Sequence, residues 1–177
     1  MPTEIQLEQL RQMPYMSRFN ASQDRTMVLY KGDRPLQQAE LVEAQMMHAD
    51  GLAKLGDAFM SDGNLQSGMD FIKEGNTLTV KDGLVYVNGR VRNFKQQTVT
   101  LTGTGREIVG VKVVRYIITA EDDQTLLDQT IGVPSSFSEG ADRLQETVVV
   151  TVDDTASAPV NIFEDGGLFI NTENPEM

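Results

Sequence analysis

The hydrophobic period of this chain changes once, near residue 61, and that change limits the folds open to it. From Pro35 to about Phe59, apolar and small residues recur every three or four positions. Beyond Ser61-Asp62-Gly63-Asn64 they alternate. The first pattern buries one side of a helix, and the second buries one face of a strand. The expected class is therefore α+β: an N-terminal arm and one long amphipathic helix, then a mostly antiparallel β sandwich or barrel-like domain. Four segments follow from this: a docking arm (1–34), the helix and its exit turn (35–64), a β domain (65–152), and a linker, C-terminal hairpin and tail (153–177).

Within the arm, residues 4–13 suggest a short helix ended by Pro14, and Met27 to Tyr30 a short strand. Lys31-Gly32-Asp33-Arg34-Pro35 then punctuates: Asp33 is placed to cap, and Pro35 suits a first helical turn. The helix of about 25 residues spans ~38 Å. Leu41, Gln45, His48, Leu52, Leu55 and Phe59 are spaced 4, 3, 4, 3, 4, which is a heptad seam. Val42, Met46, Ala49 and Ala53 run beside it. A polar pair, Gln45 and His48, inside such a seam sets register or copy number. The seam is compatible with two, three or six copies, and also with packing on the chain's own sheet.

Strands are expected at 77–80, 84–87, 91–94, 98–101, 108–119 and 143–152, as a meander with hairpin turns at Lys81-Asp82-Gly83 and Asn88-Gly89. Residues 120–142 read as a long polar excursion from the sheet, a length usually tied to function or to a partner. Ala156 to Pro159 reads as a linker. A last hairpin brackets Glu164-Asp165-Gly166-Gly167, and residues 171–177 form a polar tail.

Chemistry is sparse. His48 is the sole histidine, and no nucleophile is forced beside it, so a seam-lining or packed role is expected rather than a general base. The acids Glu121, Asp122, Asp123 and Asp128 lack the spacing and loop glycine of a calcium loop and read as solvated. Gly103-Thr104-Gly105 lacks the third glycine of a dinucleotide fingerprint and leads into a strand, so it reads as a turn. The absence of cysteine excludes disulfides and thiolate ligands. A net charge of −11 disfavours nucleic acid and anionic lipid. No apolar run has the length of a membrane-spanning helix. Glu4 and Glu8 stand where a secretory signal would be basic and then apolar, so no such signal is expected.

The stretch from Tyr15 to Phe19, with Val28-Leu29-Tyr30, Gly32-Asp33-Arg34-Pro35-Leu36-Gln37, Ala39-Glu40-Leu41, Glu43, Gln45 and Leu55-Gly56-Asp57-Ala58-Phe59, carries a resemblance. Asp62-Gly63, Gly68, Gly75-Asn76-Thr77, Gly83 to Val91 and Val109-Gly110-Val111 continue it in the same order. Over roughly residues 15–152 the chain resembles the N-terminal domain of contractile-tailed phage tail-fibre and baseplate proteins, a family catalogued as a domain of unknown function. The resemblance implies a virion structural protein near the tail tip that anchors a fibre to the baseplate, usually as a homotrimer. It brings no catalytic residues, metal or cofactor. Many members of that family look much longer, with a shaft and tip beyond the anchor, whereas this sequence runs 25 residues past Val152. A short adaptor is therefore expected, with the distal fibre carried by another chain.

These readings combine into a set of expectations. The protein is a non-enzymatic tail component in the virion, assembled in the host cytoplasm, without cofactor. The oligomer interface is Leu41, Gln45, His48, Leu52, Leu55 and Phe59. Tyr15, Phe19 and Tyr30 dock a baseplate neighbour, and Phe163, Leu168 and Phe169 receive a distal fibre. The alternative is a carbohydrate-binding module carried by the β domain and the 120–142 loop. The lack of tryptophan argues against it.

Overall fold

The computed structural model describes residues 3–169. The tail at 171–177 lies outside them. The fold is α+β and mostly β, with one α-helix among the described residues and antiparallel sheets. Strand β1 (Thr3–Glu4) opens the chain, followed by a short 3-10 helix at Leu7–Arg11. The longer helix expected over 4–13 does not form, because β1 pairs with a later strand instead and Ile5 N donates to Arg115 O at 2.9 Å. Met27 to Tyr30 is not a strand either. Among the described residues no strand pairs with it, and its apolar side chains stay largely exposed.

Helix α1 is Gln38–Asp57, shorter at both ends than the periodicity implied. Its N-cap is Gln37 rather than Asp33, in a capping box with Glu40 whose Oε2 accepts from Gln37 N at 3.0 Å. Pro35 lies before the helix, and Phe59 lies in the turn after it.

Six short strands follow: β2 (Leu65–Gly68), β3 (Phe71–Glu74), β4 (Thr77–Val80), β5 (Gly83–Val87), β6 (Arg90–Phe94) and β7 (Gln97–Thr100). They form two three-stranded sheets, β2-β5-β6 and β3-β4-β7. The expected hairpin at Lys81 to Gly83 is absent, since β4 and β5 pair with different partners. What joins them is a crease. Register continues through it without slipping: Val80 faces Gln97 before the crease, and Gly83 faces Phe94 three residues further along each strand. The six strands are therefore three long strands, each folded over one line. Met69 N to Asp82 O (3.0 Å) and Lys81 N to Asp70 O (2.9 Å) hold the ladder at the fold. The two true turns are Gly75-Asn76 and Asn88-Gly89, the latter with positive φ at both residues, as a tight hairpin requires.

The remaining sheet is built on β8 (Arg106–Ile118), with β9 (Arg143–Val152) along one side and β1 and β10 (Ala158–Glu164) along the other; β11 (Gly167–Phe169) pairs with β10. The expected linker at 156–159 thus runs straight into a sheet strand, and the C-terminal hairpin is part of the main body. Val160, Ile162 and Phe163 are buried. The core lies between this sheet and the creased one and includes Leu78, Val80, Val85, Phe94, Val109, Val111, Val148 and Phe163. Burying such side chains is the main driving force for closing the two layers.

Two polar devices lock the layers. Glu146 on β9 accepts from Arg92 Nη1 on β6 (2.6 Å) and from Arg115 Nε on β8 (2.9 Å). All three side chains are mostly buried. Burial pushes the Glu146 carboxyl up, but the two guanidiniums outweigh it and hold it below the usual range. Gln97 on β7 binds the backbone of β9, donating from Nε2 to Val148 O (2.8 Å) and accepting from Val150 N at Oε1 (3.0 Å).

Candidate assembly surface

Helix α1 has two faces of equal period. The inward face carries Ala39, Glu43 and Met47, which are buried, and Met46 and Ala53 beside them. The β body holds this face near its C-terminal end. There Tyr86 donates to Asp57 Oδ1 at 2.6 Å, and its ring lies against Gly56, where a Cβ would come within 2.5 Å of Tyr86 Oη. The N-terminal arm holds the rest. Ser17 Oγ meets Met46 Sδ at 3.0 Å, Gln38 Nε2 donates to Tyr15 O at 3.0 Å, Arg18 donates to Gln37 at 2.8 Å, and Arg25 pairs with Glu43 at 3.5 Å.

The outward face is the heptad seam. Leu41, Gln45, His48, Leu52, Leu55 and Phe59 are all exposed, Leu52 at 50%, Leu55 at 59% and Phe59 at 80%. Packing of this seam on the chain's own sheet, one of the two possibilities left by the sequence, does not occur. His48 is not a packed core histidine. It borders an open groove with Asp24, Arg25 and Leu52.

The three aromatic residues expected to dock a neighbour differ in setting. Tyr30 is exposed, Phe19 is half-buried, and Tyr15 is engaged within the chain, donating to Asp142 Oδ2 at 2.5 Å. Of the expected distal-fibre residues, Phe163 is 2% exposed and belongs to the core, which removes it from any docking surface. Leu168 is exposed, and the side chain of Phe169 lies outside the described residues.

The glycine-rich turn at 102–107 is structural. Glu107, buried, accepts from Thr102 N (2.6 Å) and Gly103 N (2.9 Å), and the Thr102 bond is the main reason its carboxyl sits below the ordinary range. The acids of the long loop cap its own turns. Asp123 accepts from Thr125 N and Oγ1, and Asp128 accepts from Thr130 N and Ser135 Oγ. Among the described residues, no cluster of His, Asp and Glu is arranged to hold a metal ion.

A family model described as a domain of unknown function (DUF4815) matches residues 13–177. The chain belongs to that family. The match begins in the arm and takes in α1, both creased sheets and β8 to β11, so this DUF4815 member's helix and β body fall within one family unit. No curated protein and no solved structure matches the chain.

Two tyrosines hold α1 in this DUF4815 fold, and both titrate late. Burial first, and then the hydrogen bond to a carboxylate, pushes Tyr15 and Tyr86 up to about 12. In the unfolded chain a tyrosine titrates near ~10. The folded state therefore keeps protons that the unfolded state has lost. Stability from these two groups is complete below about pH 10 and is lost as pH climbs towards about 12. An alkaline absorbance titration is expected to show two tyrosines ionising late, and Tyr86→Phe to leave one. Tyrosinate formation complete by pH 11 with the fold intact would contradict this.

Proposed function

We propose that this protein is a non-enzymatic structural component of a bacteriophage tail, which self-associates as a homotrimer through α1 and adapts a tail fibre to the baseplate. The observation that carries the proposal is the outward face of α1. A heptad row of four large apolar side chains and a polar pair stands exposed, while the chain's own arm and sheet cover the opposite face. A row with this spacing is complementary to itself, so the occupant we commit to is a second and third copy of the same helix. Gln45 and His48 would then meet their own equivalents at adjacent levels of the seam. Placement in a tail rests on the resemblance carried by residues 15–152.

Light scattering behind a sizing column is expected to give three times the 19.6 kDa of one chain. Leu52→Asp is expected to yield monomers with unchanged far-ultraviolet dichroism. Leu52 is half-exposed in the single chain, so only the assembly would bury the new carboxylates. A wild-type monomer at micromolar concentration would sink the seam. Antibody labelling of intact virions tests the placement, and label away from the tail tip would overturn it.

A further inference from the structure

We propose that, within this assembly, the long acidic loop of one copy seats its apolar tip in a groove beside α1 of the neighbouring copy. The inference rests on the self-association reading above and adds a second contact to it.

The loop, residues 120–142, carries six carboxylates and no lysine or arginine. It is closed on itself: Leu127 bridges Glu139, Asp128 N donates to Ser138 O (3.0 Å), and Phe137 N donates to Asp128 O (2.8 Å). Such a loop is largely shaped before it binds, so little ordering is left to oppose docking. At its tip Ile131 is 87% exposed and Phe137 62%.

The groove has a volume of about 510 Å³ and is lined by Leu29, Tyr30, Lys31, Arg34 and Leu36, among others. Leu29, Tyr30 and Leu36 are exposed, and no residue of 120–142 lines it, so the chain's own loop leaves it open. The charges are complementary. The residues lining the groove hold two cations, Lys31 and Arg34, against one carboxylate, Glu40, in a chain of −11. An apolar tip with an acidic surround thus meets an apolar floor with two cations beside it.

Position decides in favour of a neighbouring copy. The base of the loop is tied to the N-terminal end of α1, since Asp142 accepts from Tyr15, whose own carbonyl accepts from Gln38. The groove reaches the same end, through Gln37 and Glu40. A closed cyclic assembly about the seam runs its helices parallel. It therefore brings the loop of one copy and the groove of the next to the same level.

The chain has no cysteine, so introduced thiols report alone. Leu29→Cys with an affinity tag and Phe137→Cys without one are co-expressed, purified on the tag and treated with a short bismaleimide linker. The expected product is a mixed tagged–untagged adduct, lost when Lys31→Glu and Arg34→Glu are added to the tagged chain. A protein of three-chain mass that gives no mixed adduct overturns the loop contact and leaves the seam standing. A monomeric protein overturns both. Adducts between two tagged chains in equal yield show contact without specificity and also overturn it.

Discussion

Glu146→Ala is expected to cost about 3–5 kcal/mol of folding stability, because it leaves two buried guanidiniums facing one another without a carboxylate. Arg92 and Arg115 are 11% and 14% exposed and reach Glu146 from different strands, so neither can turn to water without opening the contact between layers. Arg92 would keep its bonds to Val87 O (3.0 Å) and Asn88 O (3.4 Å), which satisfy two donors and leave the charge uncompensated. Typical domains are stable by only about 5–15 kcal/mol, so urea midpoints should move far. Replacing all three residues with apolar ones, Arg92→Met, Glu146→Leu and Arg115→Met, should recover most of the loss, because the cost lies in the unpaired charges. The pH dependence has a definite sign. Burial raises the Glu146 carboxyl and the two arginines lower it further, so its folded value lies below its unfolded one. Its contribution is present above the ordinary glutamate range and is lost as pH falls through the folded value. The alanine variant should therefore lose less on acidification than the wild type. An alanine variant with an unchanged urea midpoint would show that the triad does not lock the layers.

Gly83→Ala is expected to cost about 2–3 kcal/mol of stability. A Cβ there would stand 2.5 Å from Met69 N and 2.5 Å from Ser67 O. Both are backbone atoms on the paired strand, at the line where the strands fold over, so no side chain can swing away to make room. Its cross-strand partner is Gly68, where a Cβ would meet Asp82 O at 2.5 Å. The crease therefore depends on two facing glycines. Gly32→Ala is the control, since nothing lies within 4 Å of the added atom, and it should stay within about 0.5 kcal/mol of wild type. Thermal or urea unfolding of the three proteins checks the ordering. A Gly83→Ala protein as stable as Gly32→Ala would mean the two strands separate freely at that line.

The helix and the strands from β4 to β9 were legible because each carries its own period, and Asn88-Gly89 announced its hairpin. The creases were not. Alternation continues on either side of residues 81–82, and the change of direction comes from packing on β8 to β10, which no local pattern encodes. Thr3–Glu4 was missed as a strand, and the expected hairpin around Glu164 to Gly167 formed but was not placed in the main sheet, for the same reason: β1 and β10 are both ordered by β8, far away in sequence. The lock at Glu146 joins residues 54 and 31 positions apart, and nothing about a glutamate in a valine-rich strand marks it. The seam shows a subtler limit. Leu41, Gln45, His48, Leu52 and Leu55 share their spacing with Ala39, Glu43, Met46, Asp50 and Ala53. Period alone could not say which of two such rows the chain would cover itself.

The amide of Gln97 also guards one edge of the main sheet. Thr147 to Val152 reads Thr-Val-Val-Val-Thr-Val, uncharged and wholly β-branched, the composition of a segment that stacks into cross-β fibrils when its backbone is bare. It occupies β9, which pairs with β8 on one side only. On the other side a strand from a foreign chain would find Val148 O and Val150 N ready to pair, were both not already taken by one glutamine side chain. Gln97 thus imitates a short piece of strand and occupies part of that edge. Loss of that one amide would be felt in the shelf life of the solution as well as in the melting curve.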